Sequence, residues 1–180
     1  MGGCTNKNTV IDGSIIKIGL VGDAACGKSS ILHRFAENRF NLEYFHNTKN
    51  FTVVKSYIVN DLKDPVTIQV WEIQNKQLVE IDIAVIVADC RMSISGLQDY
   101  YWKWFLYCKD AGWEKVSIVL SKSDLSSNIK EDYIQVIRQN LALDPNQLLL
   151  KTSALKNEGI DTLFKSIISQ FYATIKIRII

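Results

Sequence analysis

Gly22-Asp-Ala-Ala-Cys-Gly-Lys-Ser29 follows the apolar run Ile15-Ile-Lys-Ile-Gly-Leu-Val21. A short apolar run of this kind reads as a buried strand. After it, Ile31, Leu32 and Phe35 fall at helical spacing, so a helix is expected over 29–38. A G-x-x-x-x-G-K-S segment is specific where it leaves a strand and opens a helix. Both conditions hold here. Successive backbone N–H groups in such a turn converge on an anion, and the helix N-terminus adds the positive end of its dipole. The segment therefore reads as a phosphate cradle built from Ala24, Ala25, Cys26, Gly27, Lys28, Ser29 and Ser30. Lys28 is placed for the β- and γ-phosphates of a nucleoside triphosphate, and the Ser29 hydroxyl for Mg²⁺. The alternative is a glycine turn with no ligand.

Further strands are expected over 51–59, 66–71, 83–88, 116–120 and 148–151, and further helices over 95–109, 131–140 and 159–172. Strands alternating with helices imply parallel pairing through right-handed crossovers. Only a short turn, Asn60-Asp-Leu-Lys-Asp-Pro65, separates 51–59 from 66–71, so those two form a hairpin. The expected fold is α/β: a six-stranded, mostly parallel sheet with one antiparallel strand and helices on both faces. Ligands of such sheets sit beyond the carboxyl ends of the strands. Each candidate motif falls at such an end.

The chain has 180 residues and a hydrophobic fraction of 47%, which suits one domain with its own core. Its 21 basic and 19 acidic residues give a net charge of +2, which argues against a nucleic-acid binder. Cys4, Cys26, Cys90 and Cys108 show no metal-ligand spacing, so a zinc site is not expected. The polar N-terminus shows no secretory signal, and the reading is a cytoplasmic chain with free thiols. No apolar run reaches the roughly 18 residues that a membrane span requires.

Two more segments lie at strand ends: Ser121-Lys-Ser-Asp124 after Val116-Ser-Ile-Val-Leu120, and Thr152-Ser-Ala-Leu155 after the strand at 148–151. In order and placement they resemble the N-K-x-D and S-A-K boxes of Ras-superfamily small GTPases. The chain looks most like the Rab branch, including the strand that ends in Trp71, and the similarity runs from about residue 15 to residue 171. The resemblance implies a P-loop G domain over 14–173 that binds GTP or GDP with Mg²⁺. It also implies an exchange factor and protein effectors in membrane trafficking or signalling. Asp124 would accept from the guanine N1–H and exocyclic amine, a donor pair that adenine lacks. A helix cap is the other reading of Asp124. Lys122 would lay its stem over the base, with Leu125 and Leu155 beside it. The Ser153 and Ala154 amides would meet the guanine oxygen. Ser121 stands where the family has asparagine and loses one amide donor, so guanine binding is expected to weaken by about 1–2 kcal/mol.

The switch segments depart further. In Phe40-Asn-Leu-Glu-Tyr44-Phe-His-Asn-Thr48, Phe40 resembles the base-stacking aromatic and Tyr44 the gate. Thr48 would be the metal-binding threonine, displaced by one residue; an ordinary loop threonine is the alternative. Where the family has W-D-T-A-G-Q, this chain has Trp71-Glu-Ile-Gln-Asn-Lys76. Glu72 would replace the aspartate of the magnesium shell, and Asn75 the glycine that swings to the γ-phosphate. Lys76 replaces the glutamine that orients the attacking water; an ammonium has donors only and cannot accept that water's proton. Ala24 puts a methyl group beside the γ-phosphate. Six residues lie between Lys76 and Ile83, too few for the family's helix there, so the second-switch helix is expected to be missing or reduced. Hydrolysis is therefore expected to be very slow.

Cys26, beside Lys28 and a helix N-terminus, has surroundings that lower a thiol pKa. A redox switch that pairs it with Cys90 is one reading, and a small core residue is the other. Gly2 and Cys4 resemble an acylation site, although position 6 is Asn rather than Ser or Thr, and acylation or a partner would be the route to a membrane. Residues 1–13 are read as a flexible extension. Ile175-Lys-Ile-Arg-Ile-Ile180 repeats the pattern of Ile16-Lys-Ile-Gly-Leu-Val21, so residues 174–180 read as the start of a second G domain. That arrangement is similar to tandem amoebic Rab-like GTPases. A frayed helix end is the alternative. In Tyr100-Tyr-Trp-Lys-Trp-Phe-Leu-Tyr107, Tyr101, Trp104, Phe105 and Cys108 share an expected core face. Tyr100, Lys103 and Tyr107 fall on another, where exposed aromatics would mark a partner surface. The leading function is a guanine-nucleotide switch with impaired hydrolysis. A pseudo-GTPase binding module is the runner-up. A P-loop kinase is disfavoured by the two base-reading segments.

Overall fold

A computed structural model of the chain describes residues 15–41, 52–58, 65–73, 80–126 and 131–178. The elements run β1 (Ile15–Val21), α1 (Lys28–Glu37), β2 (Thr52–Tyr57), β3 (Val66–Glu72), β4 (Ile83–Asp89), α2 (Ile94–Asp110), β5 (Val116–Ser121), α3 (Glu131–Asn140), β6 (Leu149–Lys151) and α4 (Ile160–Arg178). The sheet order is β2-β3-β1-β4-β5-β6. The β2–β3 pair is antiparallel and every other pair is parallel, as the hairpin and the crossovers require.

The central strands are apolar on both faces because each face meets a helix pair. Along β4, Ile83, Val85 and Val87 join one core with Phe35 of α1 and Phe164 of α4. Their neighbours Ala84, Ile86 and Ala88 turn the other way, toward Leu97 and Tyr101 of α2 and Ile137 of α3. This period-2 division makes a continuous apolar run a two-sided strand. Stacking of Phe35 on Phe164, with ring centroids 3.9 Å apart, locks α1 to α4 over the sheet.

Among the described residues no helix lies between β3 and β4; residues 74–79, with Asn75 and Lys76, lie outside the description. Thr48, Tyr44, Gly2 and Cys4 also lie outside it. Residues 175–178, which repeat the pattern of β1, do not form a strand: α4 continues to Arg178. Lys, Ile and Arg extend an already nucleated helix at little cost, and alternation over so few residues does not override that. No helix among the described residues is long and apolar enough to cross a membrane.

Candidate functional site

The loop between β1 and α1 is shaped by three residues with positive φ. Gly22 has φ 148°, Ala25 59° and Gly27 107°. At Gly22 a Cβ would lie 2.6 Å from the Val87 carbonyl oxygen and 2.8 Å from Cys26 Sγ, so only glycine fits. Lys28 opens α1 and is buried. Its Nζ donates to the Gly22 and Asp23 carbonyls at 2.9 and 2.8 Å and stands 4.0 Å from Glu72 Oε1. The Ser29 hydroxyl donates to Glu72 Oε2 at 2.7 Å. Glu72 reaches this point because β3 lies beside β1, with Glu72 in register with Leu20.

This donor set fits a hard divalent cation. A hydroxyl and a carboxylate side by side at a helix N-terminus are ligands that Mg²⁺ accepts. Among the described residues no group of three His, Cys, Asp or Glu side chains is placed to hold a metal. A magnesium ion held by Ser29 and Glu72 would therefore need further oxygens, which a bound phosphate would supply.

The second half of the site is built on the loops after β5 and β6. Lys122 takes a left-handed conformation, φ 58°, and its Nζ donates to the Ala25 carbonyl at 2.7 Å and to Asp89 Oδ2 at 2.9 Å. Arg91, and then Lys122, hold the Asp89 carboxyl well below the usual carboxylate range. One turn of 3-10 helix, Ser123–Leu125, carries Asp124. Asp124 Oδ1 accepts from the Ser153 hydroxyl at 2.5 Å, and that hydroxyl accepts from the Lys156 N–H at 3.1 Å. Ala154 is buried, while Leu125 and Leu155 are exposed and Phe40 is half-buried. The structure thus brings the phosphate-loop candidates together with Lys122, Asp124 and Ser153.

Three residues differ from expectation. Ser121 is buried, and its Oγ lies 2.5 Å from the Cys26 carbonyl and 3.0 Å from that of Ala88. It is a tie between the two loops; its single proton serves one carbonyl at a time. Cys26 is buried and free, and burial pushes its thiol pKa up despite Lys28 nearby, against the lowered value that its neighbours suggested. Desolvation wins because Sγ points beneath the loop, toward Tyr100. Tyr100 itself is buried rather than exposed. Tyr101 and Cys108 are in the core, Trp104 and Phe105 are half-buried, and Trp102 and Leu106 form the exposed apolar points of α2.

Sequence reading missed Arg34 and Asp23. Arg34, on α1, donates through Nε to the Ala154 carbonyl at 2.7 Å and through Nη2 to that of Leu155 at 3.3 Å. Asp23 pairs with Lys103 at 2.7 Å. Neither contact has a sequence signal, because the partners lie 120 and 80 residues away.

The arrangement has relatives. The model of the Ras family matches residues 17–173. The chain is 26% identical to the Ras-related protein Rab11A of Lotus japonicus over 183 residues, covering 95% of this chain and 77% of that protein. It is 24% identical to Rab-4 of Dictyostelium discoideum, covering 83% and 76%. It is 25% identical to rab-11.1 of Caenorhabditis elegans, covering 89% and 79%. With the family model spanning nearly the whole described chain, and Rab proteins as its distant relatives, the chain belongs to the Ras family of small GTPases.

Proposed function

We propose that the chain is a guanine-nucleotide switch of Rab-like type that binds GTP or GDP with Mg²⁺ and hydrolyses GTP very slowly. The observation that carries the binding half is the joining of base reader to phosphate loop. Asp124 is held by Ser153, and Lys122, two residues before Asp124, is tied to Ala25 of the loop. A carboxylate held two residues along the chain from that tie suits a base that offers two adjacent donors. In this reading Ala24, Ala25, Cys26, Gly27, Lys28, Ser29 and Ser30 meet the phosphates. Ser29, Glu72 and Thr48 serve the metal. Phe40, Lys122, Leu125, Ala154 and Leu155 enclose the base, with Asp124 and Ser153 at its edge and Ser121 behind it.

Bound magnesium would neutralise charge on the β- and γ-phosphates. Lys28 would exchange its two loop carbonyls for phosphate oxygens, and Glu72 would release the Ser29 hydroxyl. The slow-hydrolysis half rests on Lys76, whose ammonium has donors only where the family has glutamine, and on Asn75, which lacks the backbone freedom of the family's glycine. Regulators and effectors of the Rab kind are the partners this reading implies, with a peripheral membrane association through acylation at Gly2 and Cys4 or through those partners. Titration of wild-type chain and Asp124→Ala with GDP and Mg²⁺ tests it. The variant should lose at least tenfold in affinity, about the worth of one charge-assisted hydrogen bond. Equal affinity removes Asp124 from the base site.

A further inference from the structure

The loop between β1 and α1 is held from below by a residue of α2. Tyr100 is buried, and its hydroxyl accepts from the Asp23 N–H at 2.8 Å while donating to the Val87 carbonyl of β4 at 2.9 Å. Desolvation pushes the phenol up, so it remains an O–H donor at any working pH. A Cβ on Gly22 would stand 2.7 Å from this oxygen, which shows how closely the loop's first turn rests on it. The Asp23 N–H is thereby turned to α2, and the carbonyl of Asp23 is turned to Lys28 at 2.8 Å. One hydroxyl fixes the peptide from which the following amides of the cradle are oriented.

We propose that Tyr100 is a positioning residue for nucleotide binding: its hydroxyl sets the phosphate loop's conformation and so the lifetime of the bound nucleotide. The proposal rests on the guanine-nucleotide reading above. The neighbouring Lys103–Asp23 pair does not have this part. Its side chains are 61% and 48% exposed, and exposed ion pairs of that kind contribute little. Tyr100 is different because losing it leaves the buried Val87 carbonyl and the partly buried Asp23 N–H without their shared partner, and such groups are costly.

The test uses the full chain loaded with a fluorescent GDP analogue in Mg²⁺ and reductant, with dissociation followed after adding excess GDP. Tyr100→Phe keeps the ring and removes the hydroxyl; it should speed dissociation about tenfold, the effect of one unsatisfied buried group. Tyr101→Phe is the control. That tyrosine is also buried on α2, but its hydroxyl accepts from Gln147 Nε2 at 2.9 Å, away from the loop. It should leave dissociation within twofold of wild type, as should Lys103→Ala. Unchanged dissociation in Tyr100→Phe overturns the proposal. So does equal acceleration in Tyr101→Phe, which would assign the effect to helix packing in general. Wild-type chain that takes up no guanine nucleotide overturns the nucleotide reading itself and this proposal with it, a result distinct from either of the others.

Discussion

Replacing Thr152 by valine should stabilise the protein. Thr152 follows β6, and its backbone is fully engaged: the N–H donates to the Leu120 carbonyl at 2.8 Å and the carbonyl accepts from the Ser123 N–H at 3.0 Å. Its side chain is buried completely, yet Oγ1 has no hydrogen-bond partner. An unsatisfied buried hydroxyl carries a desolvation cost of about 1–3 kcal/mol. Valine keeps the shape and removes that cost. Taking the lower end, Thr152→Val should raise stability by about 1 kcal/mol and Tm by about 2–4 °C in a chain of this size. The structural reason for the orphan lies next door. Leu120 pairs with Lys151, so Ser121 and Thr152 are the next pair in the same register. Serine has one proton, already taken by the Cys26 or the Ala88 carbonyl. Asparagine would bring two donors and a longer reach. In a Ser121→Asn background the threonine hydroxyl should gain a partner, and Thr152→Val should then cost about 1 kcal/mol. The double-mutant cycle is read by thermal unfolding of nucleotide-free protein, since bound ligand shifts Tm by mass action. A fall in Tm for Thr152→Val in the native Ser121 background refutes the reasoning. It would mean that the hydroxyl is already satisfied.

Other consequences are as direct. Lys76→Gln restores an acceptor for the attacking water and should raise the single-turnover rate of GTP hydrolysis at least tenfold, following general-base magnitudes; an unchanged rate would place the defect elsewhere. Cys26 should react with a thiol reagent at pH 8 more slowly in the folded than in the unfolded chain, because burial raises its pKa, and more rapidly as pH rises; faster reaction in the folded chain would restore the redox reading. The Asp89 carboxyl has a folded pKa below its unfolded value of about 3.9, so its contribution to stability is present above that pH and is lost as pH falls through the folded value. Asp89→Asn should accordingly destabilise the protein at pH 7 and have less effect in strong acid; equal loss at both, read by denaturant unfolding, would contradict the assigned charge pairs.

The fold was largely legible because its signals are local. Alternation of apolar runs with helical spacing placed each strand and α-helix of the described residues, and a short turn between 51–59 and 66–71 identified the antiparallel pair of strands. The phosphate loop was legible for the same reason: strand, glycines, lysine and helix are contiguous. The ties that hold the site were not. Tyr100 to Asp23, Arg34 to Ala154 and Ser121 to Cys26 join residues 77 to 120 apart in sequence, and side-chain type alone does not reveal them. Cys26 shows how a neighbour-based argument fails. Lys28 is close, but Sγ points beneath the loop, and desolvation outweighs the nearby charge. At the C-terminus, a period-2 pattern over a few residues suggested a strand where the chain simply continues α4.

The central claim is that a phosphate cradle and a guanine reader act on one ligand. Affinities for GDP and ADP, measured side by side on the full chain with Mg²⁺ and reductant, test it most directly. GDP should bind in the micromolar range or tighter, with at least about a hundredfold preference over ADP, the discrimination expected when the Asp124 acceptor is left unpaired by the wrong base. Equal affinity for the two nucleotides, or binding of neither, would contradict it.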